Sequence, residues 1–348
     1  MKTITSSIIA ALITISCYSQ DLLTLAKPAD QAEWGYMNEK GEFIIEAKFR
    51  KCFGFSEGYA PIYEKKRKSN FFIDAEGNEL KTEVDVFLLK SAMGFGTYGF
   101  DDGMAPVRVG KKWGYLNIEG KLAIQAKYDN ISRFESGVAV VRIEKHFMLV
   151  NKSGEETEVD VPGVIDVKQF SEGLAPVKAS NSLFGFIDPT GEQVIRSKFK
   201  AVGYFIDGLA WAKNLEGKAG YIDKNGEWVI RAQFDAVKNF SPGSGFARVK
   251  HNGVWTFVNS TGEITKMADA DTFGDFSDGL AYGKKDGLAG FFNTKGEWVI
   301  KPTFQAVRGF KNGYAAAKQG DKWGFIDTNG EWAVEPTLDG VKDMELVN

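Results

Sequence analysis

The sequence predicts an all-β fold built from tandem repeats of about 35 residues. Short stretches of alternating apolar and polar residues have the period of β-strands, and no segment has a convincing helical period. The chain contains 39 glycines and only 9 prolines, which is typical of many tight turns and few stiff linkers. Nine turn glycines mark the repeats: Gly41, Gly77, Gly120, Gly154, Gly191, Gly226, Gly262, Gly296 and Gly330.

Each repeat predicts a three-stranded antiparallel meander followed by a more irregular segment. In the last unit the predicted strands are 314–318, 323–327 and 332–335. The step Asp/Asn-x-x-Gly predicts the hairpin turn, because Asp or Asn favours its first position and glycine accepts the left-handed conformation that follows. A calcium loop is the alternative for turns such as the one at Asp327, but these turns lack the further spaced carboxylates of such a site.

A Trp-Gly pair precedes many of the turns. Strand alternation places Trp113 and Tyr115 on one face and Gly114 on the other, where glycine lets a neighbouring backbone or ring approach closely. After the turn, pairs such as Val194 and Ile195 put apolar side chains on both faces, so we expect a strand covered on both sides and repeats that stack on one another. The predicted structural motif comprises Trp34, Gly35, Trp113, Gly114, Gly185, Gly220, Gly290, Trp323 and Gly324.

A small aliphatic residue recurs in the irregular segment, three positions after an aromatic residue. The position holds Ile131, Val202, Val237, Val307 and Val341, and in the first repeat it holds Cys52. We therefore predict that Cys52 behaves as a small buried hydrophobe and has no reactive or metal-binding role.

The motif resembles the WG-repeat family of bacteria, also called KWG repeats. Lys112-Trp113-Gly114 and Lys322-Trp323-Gly324 carry the resemblance, which extends over nearly the whole mature chain and implies the repeat architecture but no particular biochemistry. Three units lack the complete pair, and we expect them to keep the same local fold. They are the second (Asn70-Phe71-Phe72), the fourth (His146-Phe147-Met148) and the seventh (Val254-Trp255-Thr256).

Nine units can stack in line or close into a ring. Nine exceeds the four to eight blades usual in propellers, and the sequence shows no leftover strand that would join one terminus to the other. We therefore predict an open twisted solenoid, with a closed propeller-like array as the alternative. Residues 84–98 form an insertion in the second unit and are a candidate contact loop.

The N-terminus predicts export. Lys2, an apolar stretch at residues 8–15 and a small polar segment ending at Ser19 are typical of a signal peptide, so we expect a signal at 1–19 and a nine-unit domain at 20–348. The destination would be the periplasm, the outer surface or the medium. No segment is long and apolar enough for a transmembrane span, and a lipid anchor at Cys17 is disfavoured because Thr14 replaces the usual aliphatic residue. Cleavage leaves Cys52 as the only cysteine, without a disulfide partner.

The composition argues against several functional classes. The 43 basic and 46 acidic residues are interspersed, so nucleic acid is not an expected partner. The chain has only 2 histidines, His146 and His251, predicted in exposed turns, and no motif for catalysis, metal or cofactor binding. We predict no catalytic, metal-binding or cofactor-binding residue and no cofactor. An enzyme of unrecognised type would need a pocket with converging carboxylates.

Three tryptophans are the candidate ligand contacts. Trp228, Trp298 and Trp332 share one repeat position, and such a ladder could stack on sugar rings or a peptide; the alternative is that they pack between repeats. The sequence thus predicts an exported, non-enzymatic scaffold for protein or peptide interaction at the cell envelope. The alternative function is a polysaccharide or cell-wall binding module that uses the aromatic ladder.

Overall fold

The computed structural model describes residues 22–88, 98–265 and 267–347, and all regular structure in them is β. The strands pair antiparallel and form nine separate sheets. The predicted signal peptide, Cys17 and residues 89–97 of the predicted insertion lie outside the described residues.

The strands follow the repeats in chain order. Sheets 1 to 3 contain β1 (Leu22–Lys27), β2 (Trp34–Asn38) and β3 (Phe43–Phe49), then β4 (Ala60–Glu64) and β5 (Ser69–Ile73), then β6 (Met104–Val109), β7 (Lys112–Asn117) and β8 (Leu122–Tyr128). Sheets 4 and 5 contain β9 (Asn130–Ile131), β10 (Val138–Ile143), β11 (His146–Asn151) and β12 (Glu156–Glu158), then β13 (Asp166–Val167), β14 (Ala175–Lys178), β15 (Phe184–Ile187) and β16 (Gln193–Phe199).

The second half of the chain repeats this pattern. Sheets 6 and 7 contain β17 (Ala201–Val202), β18 (Ala210–Lys213), β19 (Ala219–Ile222) and β20 (Trp228–Phe234), then β21 (Ala236–Phe240), β22 (Phe246–His251), β23 (Val254–Asn259) and β24 (Ile264–Thr265). Sheets 8 and 9 contain β25 (Thr272–Ser277), β26 (Leu280–Lys285), β27 (Leu288–Asn293) and β28 (Trp298–Phe304), then β29 (Ala306–Val307), β30 (Ala315–Gln319), β31 (Lys322–Ile326) and β32 (Trp332–Leu338). The last strands are β33 (Gly340–Val341) and β34 (Glu345–Leu346).

The complete unit has four strands, one more than the predicted meander. The additional strand lies in the segment predicted to be irregular, and its centre is the recurring small aliphatic residue. Val307 pairs with Ala317, and Val202 pairs with Ala212, so this side chain belongs to the sheet of the following unit. The sequence pattern located the residue correctly, but in most units this strand has only two residues, as at β17 and β29, which is too short to show an alternating period.

The termini close the array into a ring. Strand β33 pairs with β1 through Ala26 with Val341 and Lys27 with Gly340, and β34 pairs with the beginning of β1. The prediction of an open solenoid is therefore wrong, and the closed propeller-like array is the observed form. The physical reason is that each short strand completes the next sheet, so the short strand of the last unit completes sheet 1.

The hydrophobic core confirms the closure. It is divided into nine clusters, and each cluster lies between two consecutive sheets. One of them joins Phe325 and Leu338 of sheet 9 to Ala26, Met37 and Val341 of sheet 1. Among the described residues, every sheet is thus packed on two neighbours.

Candidate functional site

Each complete unit has a short first strand followed by three long strands. The motif glycine lies in the second long strand, at the point where the backbone of the third long strand passes closest to it. A Cβ atom on Gly114 would lie less than 3.0 Å from the carbonyl oxygen of Ile124, and the same overlap with backbone occurs at Gly35, Gly185, Gly220, Gly290 and Gly324. The pairing shifts at this point, because Trp113 pairs with Tyr128 but Tyr115 pairs with Ile124, which leaves a bulge against the glycine. Only glycine leaves room for this crossing.

The presence of this glycine determines the length of the third long strand. The strand has 7 residues in all six units that carry the glycine: β3, β8, β16, β20, β28 and β32. In the other three units the position is Phe71, Met148 or Thr256. There the third strand is reduced to an isolated bridge between Ile73 and Glu79, to the 3 residues of β12, or to the 2 residues of β24.

The three departing units therefore keep only part of the expected fold. Their two central strands form normally, but the prediction that the whole unit is retained is wrong, because a side chain at the glycine position blocks the crossing. Irregular chain replaces the missing strand and packs with residues such as Val86, Val159 and Ala268.

Surface cavities lie beside the same three units. A cavity of about 1040 Å³ lies between sheets 1 and 2 and is lined by Phe71. A cavity of about 550 Å³ is lined by Thr256 and Trp255 of sheet 7, and one of about 420 Å³ is lined by Phe147 of sheet 4. The first two cavities include the residue at the motif-glycine position, whereas the third is lined by the short first strands of sheets 4 and 5 and does not include Met148.

The largest of these three cavities has a distinctive chemistry, and we call it the basic groove. Its aromatic side chains are Phe49 of sheet 1 with Tyr63 and Phe71 of sheet 2, all half-buried. Cations lie over all three rings: Lys48 is 5.4 Å from the Phe49 centroid, Lys51 is 5.4 Å from Tyr63, and Arg67 is 4.7 Å from Phe71. The remaining lining residues are Glu33, Arg50, Ile62, Glu64, Lys65 and Lys66.

A fourth cavity lies on the ring axis. Its volume is about 660 Å³, and its lining residues include Arg308 of sheet 9, Asp343 of sheet 1, Gly54 of sheet 2, Tyr98 before sheet 3, and Arg133 of sheet 4. Because these sheets occupy different positions around the ring, each of them must turn the same edge toward the axis. The lining residues lie beside the short first strand of their sheets, so this strand is at the axis and the third long strand is at the rim.

Ion pairs neutralise part of the charge on the axial cavity. Arg133 forms ion pairs with Asp101 and Glu135 at 3.1 Å each, and Arg308 pairs with Asp343. Burial raises the pKa of Asp101 to about 6, although the Arg133 guanidinium opposes this change. The lining thus contains ion pairs, with five cationic side chains (Arg50, Lys51, Arg133, Arg308 and Lys342) against three carboxylates (Asp101, Asp343 and Glu345).

The predicted tryptophan row lies on the rim strands and contributes to packing. Trp228, Trp298 and Trp332 are half-buried and contact the clusters between sheets. Trp228 meets Phe199 edge-to-face at 5.6 Å, Trp332 meets Phe304 at 5.6 Å, and Trp298 meets Phe292 at 5.7 Å. This geometry favours the packing alternative, and ligand contact by the row stays a prediction.

The neighbouring valines correct one expectation. Val194, Val229 and Val299 were predicted to be covered on both faces of their strands, but each is 47% exposed. The sheets diverge from the axis toward the rim, so the outermost strand is covered on one face only. The following isoleucines, Ile195 and Ile230, are buried as expected.

Replacing Trp332 by alanine should destabilise the protein. The half-buried indole loses its contact with Phe304, and we expect the free energy of unfolding to fall by about 2 kcal/mol, below the value for a fully buried ring. Trp332→Phe retains part of the aromatic contact and should cost about half as much. Urea unfolding of both variants measures the difference; two parent-like midpoints would contradict the packing role.

The described residues do not assemble a recognisable catalytic group. His146 is exposed on sheet 4, whereas His251, predicted to be exposed, is half-buried on sheet 7 and packs at 5.7 Å from Phe234. Burial raises the pKa of the Cys52 thiol to about 12, so the thiol is protonated at neutral pH and packs beside the core of sheets 1 and 2. Within the three described ranges, no group of three or more His, Cys, Asp or Glu side chains is placed to hold a metal ion.

The Asp-rich turns are bonded as turns. Gly330 donates its backbone N–H to the Asp327 carbonyl at 3.0 Å, and the Asp327 carboxylate accepts the N–H groups of Asn329 and Glu331 at 2.9 Å each. Both N–H groups donate to Oδ1, and Oδ2 accepts the side-chain amide of Asn329 at 3.2 Å, so both carboxylate oxygens are used within their own turn. These hydrogen bonds lower the pKa of Asp327.

A ring of repeated antiparallel sheets defines the class of protein: a tandem-repeat scaffold. The chain belongs to the family described as WG containing repeat, whose model matches more than half of it, at residues 34–66, 96–113, 113–145, 184–218, 220–255, 290–323 and 323–345. A comparison with curated proteins found no match. No helix in the described segments could cross a membrane.

The chain is similar to several solved structures. A eukaryotic initiation factor is 13% identical, with a TM-score of 0.59, over 93% of this chain and 98% of that chain. BamB from Moraxella catarrhalis is 12% identical, with a TM-score of 0.42, over 80% of this chain and 94% of that chain. PorZ of the Porphyromonas gingivalis type-IX secretion system is 12% identical, with a TM-score of 0.33, over 90% of this chain and 52% of that chain. The first similarity shows a shared fold and carries no function.

Sequence reasoning did not identify the groove residues. Two signals were available: Phe71 at the position of a motif glycine, and the basic run Lys65-Lys66-Arg67-Lys68 in the adjacent hairpin turn. The described part of the insertion mainly packs, with Val86 and Leu88 buried, while Tyr98 lines the axial cavity.

Proposed function

We propose that the protein is an exported, non-enzymatic scaffold that binds a protein or peptide partner at the cell envelope. The observation that carries the proposal is the placement of surface cavities at the motif-glycine position of two units that lack this glycine, those of sheets 2 and 7. The six regular units maintain the ring, whereas the three irregular units vary its surface. Such a separation of structural and surface-forming units is typical of repeat scaffolds, in which a constant core presents variable binding surfaces.

The chemistry of the cavities supports a binding role. The axial cavity contains ion pairs between neighbouring sheets. The cavity at sheet 7 is lined by Trp255, Met267 and Phe273 together with two threonines, two small aliphatic residues, Arg248 and Asp271. Neither arrangement resembles a nucleophile with an adjacent base or a set of metal ligands. Half-buried aromatic side chains at a concave surface are common at sites of protein recognition.

Export rests on the first 19 residues, whose pattern is typical of a cleaved signal peptide. We expect the secreted form to begin at Gln20. Mass spectrometry of the protein recovered from the periplasm or the medium tests this directly. Full-length protein retained in the cytoplasm would contradict the proposed location, and a lipid-modified Cys17 would replace soluble export with anchoring.

A peptide-display selection against the purified chain 20–348 tests the binding function. We expect enriched peptides that bind the folded chain and do not bind the urea-unfolded chain. In parallel, insoluble cell-wall and polysaccharide preparations are tested with the parent and with a folded variant in which Trp228, Trp298 and Trp332 are replaced by alanine. Absence of peptide binding, together with polysaccharide binding that is lost in this triple variant, would overturn the proposal in favour of a polysaccharide-binding module.

A further inference from the structure

We propose that the basic groove between sheets 1 and 2 binds an acidic peptide segment that also carries apolar side chains. This inference rests on the proposed function as a scaffold and names the chemistry of one partner site. It follows from the origin of the groove, its charge and the arrangement of its aromatic rings.

The groove originates in a single departure from the motif. Phe71 stands at the position that is glycine in six units, and its side chain prevents the third long strand from crossing β5. The chain makes one bridge at Glu79 and returns to pair at Val86, so sheet 2 has no complete outer strand. Phe71 and Tyr63 are therefore half-buried beside sheet 1. A regular unit would have its own seven-residue third strand next to this position.

The charge of the groove is opposite to that of the whole protein. Six cationic side chains and only two carboxylates line it, whereas the formal net charge of the chain is −3. Arg50 pairs with Glu33 at 3.4 Å, and Arg67 pairs with Glu64 at 2.7 Å. The other four cations make no ion pair with any carboxylate of the described residues: Lys48, Lys51, Lys65 and Lys66. The groove is thus complementary to an anionic partner.

The aromatic rings distinguish an acidic peptide from other polyanions. Stacking of a sugar ring or a nucleobase requires a free aromatic face. Here Lys48, Lys51 and Arg67 lie over the three rings. A bound molecule would therefore contact these cations first, and it would reach the edges of the rings in the gaps between the cations. Carboxylates that alternate with apolar side chains fit this pattern. The volume of about 1040 Å³ is at the upper end for small-molecule sites and accommodates several residues.

The test uses fluorescence anisotropy with the chain 20–348 and a short fluorescein-labelled peptide of Glu, Ala and Leu residues. A second peptide has glutamine in place of each glutamate, and a third has serine in place of each leucine. We expect binding of the first peptide that weakens with added salt, and much weaker binding of the other two. Equal binding of the glutamine peptide would overturn the charge argument, and equal binding of the serine peptide would overturn the role of the rings.

Charge reversal locates the site. The variant Lys65→Glu/Lys66→Glu should weaken binding by about tenfold or more, because two unpaired cations become repulsive. Lys295→Glu/Lys301→Glu is the matched control, since these exposed lysines lie on sheet 8 and the change in net charge is identical. Equal weakening in both variants would show that only net charge matters and would overturn the assigned site.

The remaining outcomes separate this inference from the proposed function. If selected peptides bind the chain but Lys65→Glu/Lys66→Glu leaves all of them unaffected, the scaffold function stands and the groove assignment fails. If polygalacturonate or single-stranded DNA binds through Lys65 and Lys66 while the acidic peptide does not, the groove is a polyanion site and the peptide proposal is overturned. If no peptide of any kind binds, both proposals fail.

Discussion

Replacing Gly220 by valine is expected to lower the free energy of unfolding by about 1 to 3 kcal/mol, the usual range for overpacking. A valine side chain at this position overlaps the Ile230 carbonyl oxygen and the Ala232 nitrogen, both of which belong to the backbone of β20. The strand cannot relieve this overlap by a rotamer change, so it must separate from β19. Chemical denaturation monitored by tryptophan fluorescence measures the effect.

The matched control for Gly220→Val is Thr256→Val. Thr256 holds the same repeat position in sheet 7, where the third long strand has only 2 residues and does not cross it. The substitution removes the hydrogen bond that the Thr256 hydroxyl donates to the Thr265 carbonyl at 3.1 Å, so we expect a loss within about 1 kcal/mol. An unchanged midpoint for Gly220→Val, or equal losses for both variants, would contradict the role of the motif glycine.

Removal of residues 340–348 is expected to have the largest effect on stability. The truncation deletes the short strand that completes sheet 1 and removes the buried side chains of Val341 and Met344 from the cluster between sheets 9 and 1. Each buried aliphatic side chain of this size contributes about 2 kcal/mol or more, so we expect a loss of at least about 4 kcal/mol. Thermal unfolding of the truncated chain should begin well below that of the parent.

A pair of point variants shows whether the effect of the truncation comes from closure. Val341→Ala and Val307→Ala change the same repeat position, once at the terminus and once between sheets 8 and 9. In a closed ring both substitutions should cost a similar amount, about 2 kcal/mol or less. A negligible cost for Val341→Ala beside a clear cost for Val307→Ala would show that the terminal strand is unpaired.

The repeated unit was predictable because its local signals agree with one another. Turn residues, strand alternation and the position of Gly114 all indicate the same hairpin, and the strands begin within one or two residues of the predicted positions in the last unit. The closure was not predictable in the same way. Val341 was assigned to the correct repeat position, but its pairing partner is Ala26, and no local pattern reveals a contact across the whole chain.

The candidate site was less accessible to sequence reasoning. The tryptophan row was noticed because it repeats, and repetition proved to mark packing contacts such as that of Trp332 with Phe304. The basic groove depends on an exception to the repeat at Phe71, whose consequence appears only when the third strand is seen to be missing. In this fold the constant positions form the ring, and the departures from them shape its surface.

Small-angle X-ray scattering of the chain 20–348 tests the closed ring most directly. A compact chain of this length has a radius of gyration of about 20 Å. An open stack of nine sheets spaced about 10 Å apart would be about 90 Å long, with a radius of gyration of about 28 Å. We predict the smaller value, with a pair-distance distribution that ends well below about 90 Å. An elongated distribution with the larger radius would contradict the closure of sheet 1 by the last strands.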